Sequence, residues 1–387
     1  MVTMPIQIAV LTGCRSDYGL LLPLLRVLRD EPRCELTVYA AAGHLSVKMG
    51  MTVQQVEADG FAPIHLAPLD DADDSPTGMA ALAGRVTESL ARLWRQDKPD
   101  WLVVLGDRVE VLAAAIAAWY ARVPLAQLQP GDLSLVDNGP RHATSRLASL
   151  LFPATTAAEE RLLSWGEEPW RVKQVGSLSV DNALSHPPLG EKELAQLGNE
   201  IGLDLSGDFL ILLYHPIPGE AAATLGGLDA CLTAVDSTGL PTLAVYPNAD
   251  AGGGAVIERL SSWATGPNRA VVKNLPPRSF IGLLRRCRAL IGNSSAGIIE
   301  CSALGVPVVN VGNRQGNRER GENVFNAACA DEARSALSNI LADETLRERL
   351  RQSPSPYGSG KAAERIIKTL FGTPTGNRLL NKGLDAR

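Results

Sequence analysis

Residues 6–29 read IQIAVLTGCRSDYGLLLPLLRVLR, and the fold can be read outward from them. Ile6–Leu11 is a short apolar run closed by Thr12 and Gly13. Such a run fits a parallel strand covered on both faces. From Tyr18 to Arg29 the leucines shift to helical spacing. Downstream, Leu36–Ala41, Trp101–Leu105, Pro124–Leu128, Leu151–Pro153 and Val172–Val175 read as further strands, with Val109–Tyr120 as a helix. Pro-Pro-Leu-Gly, within His186–Gly190, reads as a linker. The alternation then restarts with strands Phe209–Tyr214, Thr242–Tyr246, Ala270–Val272, Ala289–Ile291 and Val308–Val311. Strands alternating with helices predict an α/β chain with parallel sheets and helices on both faces. The expected domains are 1–185 and 186–358. An amphipathic helix follows at Lys361–Leu370, within 359–372, and 373–387 reads as a polar, frayed tail.

Composition narrows the function classes. The 387 residues carry a net charge of −5, with 45% hydrophobic and 20% charged residues. That is globular composition with no basic field for nucleic acid or an anionic membrane. An anionic ligand would need a local site. The six cysteines, at 14, 34, 231, 287, 301 and 329, form no Cys-x-x-Cys pair. No metal site is expected, and the thiols read as reduced, mostly buried side chains in a cytoplasmic protein. The opening MVTMPIQIAVLTGC reads as a first strand rather than a signal peptide, and no window suits a membrane span.

Ligands of open α/β sheets lie beyond the carboxyl ends of the strands, so the loops there matter most. TGCRSDYG, Thr12–Gly19, can bring backbone N–H groups and the Arg15 guanidinium to a phosphate, or be a turn with a surface arginine. Asp107, in GDR after Leu105, is an acid/base candidate or a cap for the next helix. QPGDLSLVDNGPRHATSRL, Gln129–Leu147, carries Asp132, Asp137, Arg141 and His142. Paired carboxylates beside an arginine suit proton chemistry; solvated turn charges are the other reading. His215, in YHP, is an acid, base or phosphate donor, or a structural histidine. GNSSAGIIE, Gly292–Glu300, is the sharpest signal. Ser294, Ser295 and the N–H groups near Gly297 would form an anion pocket at a helix N-terminus. Glu300, a turn further on, would accept hydrogen bonds from ribose hydroxyls; a helix cap with a solvated Glu is the alternative. Arg314 and Arg318 follow in GNRQGNRER.

As a set these segments resemble the UDP-N-acetylglucosamine 2-epimerase family, specifically its hydrolysing branch. The likeness runs from Ile6 to Val324. TGCRSDYGLLLPLL resembles that branch's opening, where the non-hydrolysing branch typically shows Arg-Pro-Glu. GHLS (Gly43–Ser46), GDRVEVLAAAIAA (Gly106–Ala118), RHATSRL (Arg141–Leu147), VGS with DN (Val175–Ser177, Asp181–Asn182), YHP, PNADAGG (Pro247–Gly253), IGNSSAGIIE and LGVPVVNVG stand in family order. The resemblance implies a GT-B-like fold: two Rossmann-like domains with parallel sheets, an interdomain cleft, and a final helix crossing back. It implies a UDP-sugar substrate and no cofactor, in a dimer or tetramer. UDP would be held by Ser294, Ser295, Gly297, Glu300, Arg314 and Arg318. Arg15, His44, Arg141, His142, Ser177 and Asn248 would complete the binding set, with Asp107, Asp137 and His215 as acid/base groups. In the family the C2 proton is removed, UDP leaves C1, and the glycal is hydrated to the 2-epimeric free sugar, here N-acetylmannosamine or a relative.

One departure stands out. The family's catalytic Glu aligns with Gln129, and a neutral amide cannot exchange a proton near pH 7. Either Asp132 takes over or the reaction has changed. The competing expectations are a hydrolysing 2-epimerase, a nucleotide-sugar hydrolase without epimerisation, and a non-catalytic nucleotide-sugar binder. If Gln129 faces the sugar, 2-epimerisation of UDP-N-acetylglucosamine should be weak, and Gln129→Glu should raise it.

Overall fold

In the computed structural model, described over residues 4–69, 73, 75–133, 138–217, 219–247, 252–374 and 376–383, the chain forms two compact units. One comprises Met1–Asn182 with Gly360–Arg387, the other Ala183–Ser359. The first is built on β1 (Ile6–Thr12), β2 (Cys34–Ala42), β3 (Ile64–Pro68), β4 (Trp101–Leu105), β5 (Leu125–Leu128) and β6 (Leu150–Phe152). These pair in parallel in the order β3-β2-β1-β4-β5-β6. The second is built on β7 (Leu210–Leu213), β8 (Thr242–Val245), β9 (Arg269–Val272), β10 (Ala289–Gly292), β11 (Val308–Val311) and β12 (Val324–Ala327). Its parallel order is β12-β11-β10-β7-β8-β9. Numbered from its own first strand, each sheet has the Rossmann order 3-2-1-4-5-6. The switch points therefore fall between β1 and β4 and between β7 and β10.

Burial explains the strand sequences. Along β1, Ile8 and Val10 face one layer and Ala9 and Leu11 the other, as a period of two requires. The first layer meets Leu21, Leu24, Leu25 and Leu28 of the helix Arg15–Asp30, together with Ala362, Ile366 and Leu370 of the helix Ala362–Gly372. Each leucine or isoleucine among them contributes about 1.5–3 kcal/mol on burial. Asp181 holds the start of that last helix, accepting from Ala362 N at 2.9 Å and Ala363 N at 2.8 Å.

Three expectations change. Val172–Val175 is no strand; Val172 makes one isolated bridge to Leu151. Edge strands β3 and β12 carry no strand signal in the sequence, because IHLAP and VFNA mix polar and apolar residues as one-sided edges do. The tail is not frayed over its described part. Asn377–Leu380 is a short helix, Leu379 is buried, and the fully buried Arg171 donates to the carbonyls of Leu379 (2.8 Å), Arg378 (2.9 Å) and Asn381 (3.2 Å).

Candidate active site

In the first unit the polar groups gather at the β1/β4 switch point. The loop after β1 turns at Gly13, where an added Cβ would lie 1.6 Å from Glu110 Oε1. Only glycine leaves room for that carboxyl. Glu110 sits buried in the first turn of the helix Val109–Ala121. Burial, aided by the charge of Asp17, pushes its carboxyl up to about 7, against the pull of Arg108. Arg108 bridges the two loops, donating to Asp17 Oδ1 at 3.2 Å and Ser16 Oγ at 3.4 Å. Burial also raises Asp17. Arg15 is exposed on the first turn of its helix.

His44 does not offer itself to a ligand. It is fully buried, with Nε2 3.0 Å from Thr12 Oγ1 and Nδ1 2.9 Å from Thr52 Oγ1. Burial lowers it to about 4, so it is neutral at pH 7. Both ring nitrogens are engaged, which makes it a brace for the β1 loop rather than a substrate contact.

Beside the switch point lies a second charged set. Asp107 follows Gly106 at the end of β4 and pairs with Nη2 of Arg141, whose side chain is 6% exposed. The capping alternative for Asp107 is thereby excluded: Arg108 holds the N-cap position, with no side-chain cap. Arg141 also lies 3.9 Å from Asp132 Oδ2 and donates to the Gln129 carbonyl at 3.4 Å. Gln129 has a left-handed φ of 55°, uncommon for a side-chain-bearing residue. Its backbone N–H donates to Phe152 O at 3.1 Å and its amide to Ser177 Oγ at 3.1 Å. Ser177 Oγ also accepts from Ser179 N, so it serves as a helix cap. Beneath them the fully buried Gln127 donates to the carbonyls of Gly106 (3.3 Å) and Arg141 (3.2 Å) and accepts from Ser145 Oγ (2.7 Å). His142, half-buried, meets the Trp165 ring at 4.5 Å, and burial lowers it. Asp137 and Asn248 lie outside the described residues.

The second unit repeats the arrangement with neutral groups. Gly292 closes β10 with φ 145°, and a Cβ there would meet Leu213 O at 2.0 Å. Asn293 then exchanges two bonds with the backbone of His215 beyond β7: His215 N to Oδ1 at 2.7 Å and Nδ2 to His215 O at 2.9 Å. His215 Nε2 lies 3.2 Å from Ser294 Oγ. Burial, with the charge of Arg314, drives His215 down to about 3. It is thus a neutral donor or acceptor rather than a cation. Gln315 (3.0 Å) and Arg314 (3.4 Å) donate to the Asn293 carbonyl.

Ser294 caps the helix Ser295–Ile298 through Ala296 N at 3.3 Å. That helix has four residues and breaks at Ile299 before Glu300–Leu304. So short a helix has little macrodipole, so the expected anion pocket would depend on local N–H groups and arginines. Gly297 lets the helix approach Val308, whose Cγ1 would lie 2.8 Å from an added Cβ. Glu300 is half-buried: among the described residues its buried Oε2 has no hydrogen-bond partner, and burial lifts the carboxyl to about 7, with Arg318 opposing. Such an acceptor awaits a donor. Glu110, Gln127, Asn293 and Gln315 were missed as individual residues. Three stand in quoted motifs, and Gln127 inside a strand gave no signal.

Two sheets of identical winding, each with convergent polar groups at its switch point, define a doubly wound α/β protein of the GT-B-like class. The chain belongs to the UDP-N-acetylglucosamine 2-epimerase family, whose model matches residues 26–371. A UDP-N,N'-diacetylbacillosamine 2-epimerase (hydrolyzing) of Legionella pneumophila is 32% identical, covering 97% of this chain and 98% of that one. A GDP/UDP-N,N'-diacetylbacillosamine 2-epimerase (hydrolyzing) of Campylobacter jejuni is 27% identical, over 84% and 85%. The UDP-GlcNAc 2-epimerase of Methanocaldococcus jannaschii, solved with UDP-GlcNAc and UDP, superposes with TM-score 0.75 at 19% identity, covering 95% of this chain and 100% of that one. Among the described residues no three His, Cys, Asp or Glu side chains could hold a metal ion, and no helix is long and apolar enough to cross a membrane.

Proposed function

We propose that the protein is a hydrolysing 2-epimerase of a UDP-linked 2-acetamido sugar, and that UDP-N,N'-diacetylbacillosamine is a better substrate than UDP-N-acetylglucosamine. The Legionella relative, alike over nearly the whole chain, supports that order. The observation carrying the chemistry is Arg141, held between Asp107 and Asp132 beside the end of β4. In this reading a carboxylate of the first unit takes the C2 proton and UDP leaves C1, giving a glycal. Water then adds at C1 and a proton returns to the opposite face of C2, so the balance is one UDP-sugar and one water to UDP and the 2-epimeric sugar. Arg141 holds its carboxylates in place. In the second unit Ser294, Ser295 and Arg314 serve the diphosphate, and Glu300 accepts from the ribose hydroxyls.

Gln129 favours a second reading, hydrolysis without epimerisation, because an amide cannot carry the proton. Its side chain is occupied by Ser177, which supports a structural role and leaves the proton to the aspartates. Incubating the protein with both UDP-sugars and identifying the products by NMR separates these readings. Free sugar of inverted C2 configuration with stoichiometric UDP is expected. UDP with the unepimerised sugar would select simple hydrolysis, and no turnover of either substrate would defeat both.

A further inference from the structure

We propose that the C-terminal segment is a working part of the first unit's charged set, and that Lys382 is a positioning residue for Asp107 and Arg141. The helix Asn138–Leu147 that carries Arg141 has the sequence NGPRHATSRL. Gly139, Pro140, His142, Thr144 and Ser145 are weak helix formers, and ten residues are too few to hold a helix unaided. Its position must come from outside contacts. One is Lys382, whose Nζ lies 2.6 Å from the Ser145 carbonyl in the helix's last turn, where a cation is favoured. The same ammonium lies 2.6 Å from Glu167 Oε2, and Glu167 pairs with Arg146 of that helix at 2.9 Å.

From the anchor the path to the chemistry is continuous. Ser145 Oγ donates to Gln127, and Gln127 donates to the carbonyls of Arg141 and of Gly106, the residue before Asp107. The other end of the segment is fixed by Arg171, which binds the Leu379 carbonyl in the core. The side chains of Lys382 and Glu167 are 5% and 0% exposed. Desolvation makes such a pair a poor source of stability compared with apolar packing. Its yield here is placement: it sets the helix carrying Arg141 against the β4 turn.

The kinetic arm of the test rests on the proposed function; amide exchange does not. Lys382→Ala leaves Glu167 its Arg146 partner, so the fold should survive. The variant should lose kcat by roughly tenfold or more, as misplaced catalytic groups do, with KM and calorimetric UDP affinity unchanged. Lys382→Arg, which keeps the cation, should recover most of the loss. In the intact variant, exchange of the Asn138–Leu147 amides should accelerate by at least about tenfold relative to the Arg15–Asp30 helix. Unchanged exchange there, or a kcat of wild-type size per folded molecule, would overturn the proposal. If the unmodified protein turns over no UDP-sugar, the reading of function fails and amide exchange alone decides the role of Lys382.

Discussion

The two units wind their sheets in the same order and close the same switch point with different chemistry. In the first, Arg108 spans the gap to Asp17, Glu110 lies beneath, and Arg141 grips Asp107 alongside. In the second, Asn293 spans it by two neutral bonds to the backbone of His215. Charges that offset one another at close range can hold and move protons. Neutral donors fixed on a backbone hold the loop without adding a charge of their own. In the proposed function one topology serves as proton site in one unit and as anion site in the other, and the difference lies in a few residues after equivalent strands.

The comparison breaks most sharply at Asp107. Asp107→Asn should lower kcat by roughly 10²–10⁴-fold, the range of general acid–base groups, while calorimetry shows unchanged UDP affinity; an equal loss of both would erase the division of labour. Glu300→Ala should do the reverse, costing about 1–3 kcal/mol of UDP affinity, and unchanged affinity would remove the ribose assignment.

Each unit also buries one neutral histidine, which makes acid a probe of both. His44 is lowered to about 4 and His215 to about 3, by burial in each case. A histidine whose folded pKa is depressed stabilises fully above its unfolded value near 6.5 and loses that contribution as pH falls toward the folded value. Between pH 7 and pH 5 each should cost about 2 kcal/mol. Denaturant titration of His44→Gln should show a shallower acid slope than wild type; an identical slope would mean that His44 takes up its proton as readily in the fold as in the unfolded chain. Smallest of all is Gln129→Glu. With the side chain turned to Ser177, its effect on kcat should stay well below the roughly 10²-fold a general base supplies. A rise of that size would return position 129 to the sugar.

Much of this was legible before any coordinates. Buried strands of unbroken apolar residues, such as Trp101–Leu105, announce themselves because both faces are covered. Edge strands such as Val324–Ala327 do not, since half of each is wet. Asp107, Arg141, Ser294 and Glu300 were visible as residue types after strands. Their roles depend on distant partners: Arg141 decides that Asp107 is paired rather than a cap. The engagement of His44 by two threonines, and the docking of a polar tail through Arg171 and Lys382, rest on contacts across the chain that no local pattern encodes.

In the proposed function the first unit moves a proton at C2 although position 129 is an amide. Turnover of UDP-N,N'-diacetylbacillosamine by the unmodified protein in deuterated water, followed by NMR of the released sugar, tests it directly. One deuterium at C2 of the inverted product is expected for each UDP released. UDP release with protium retained at C2 would contradict it.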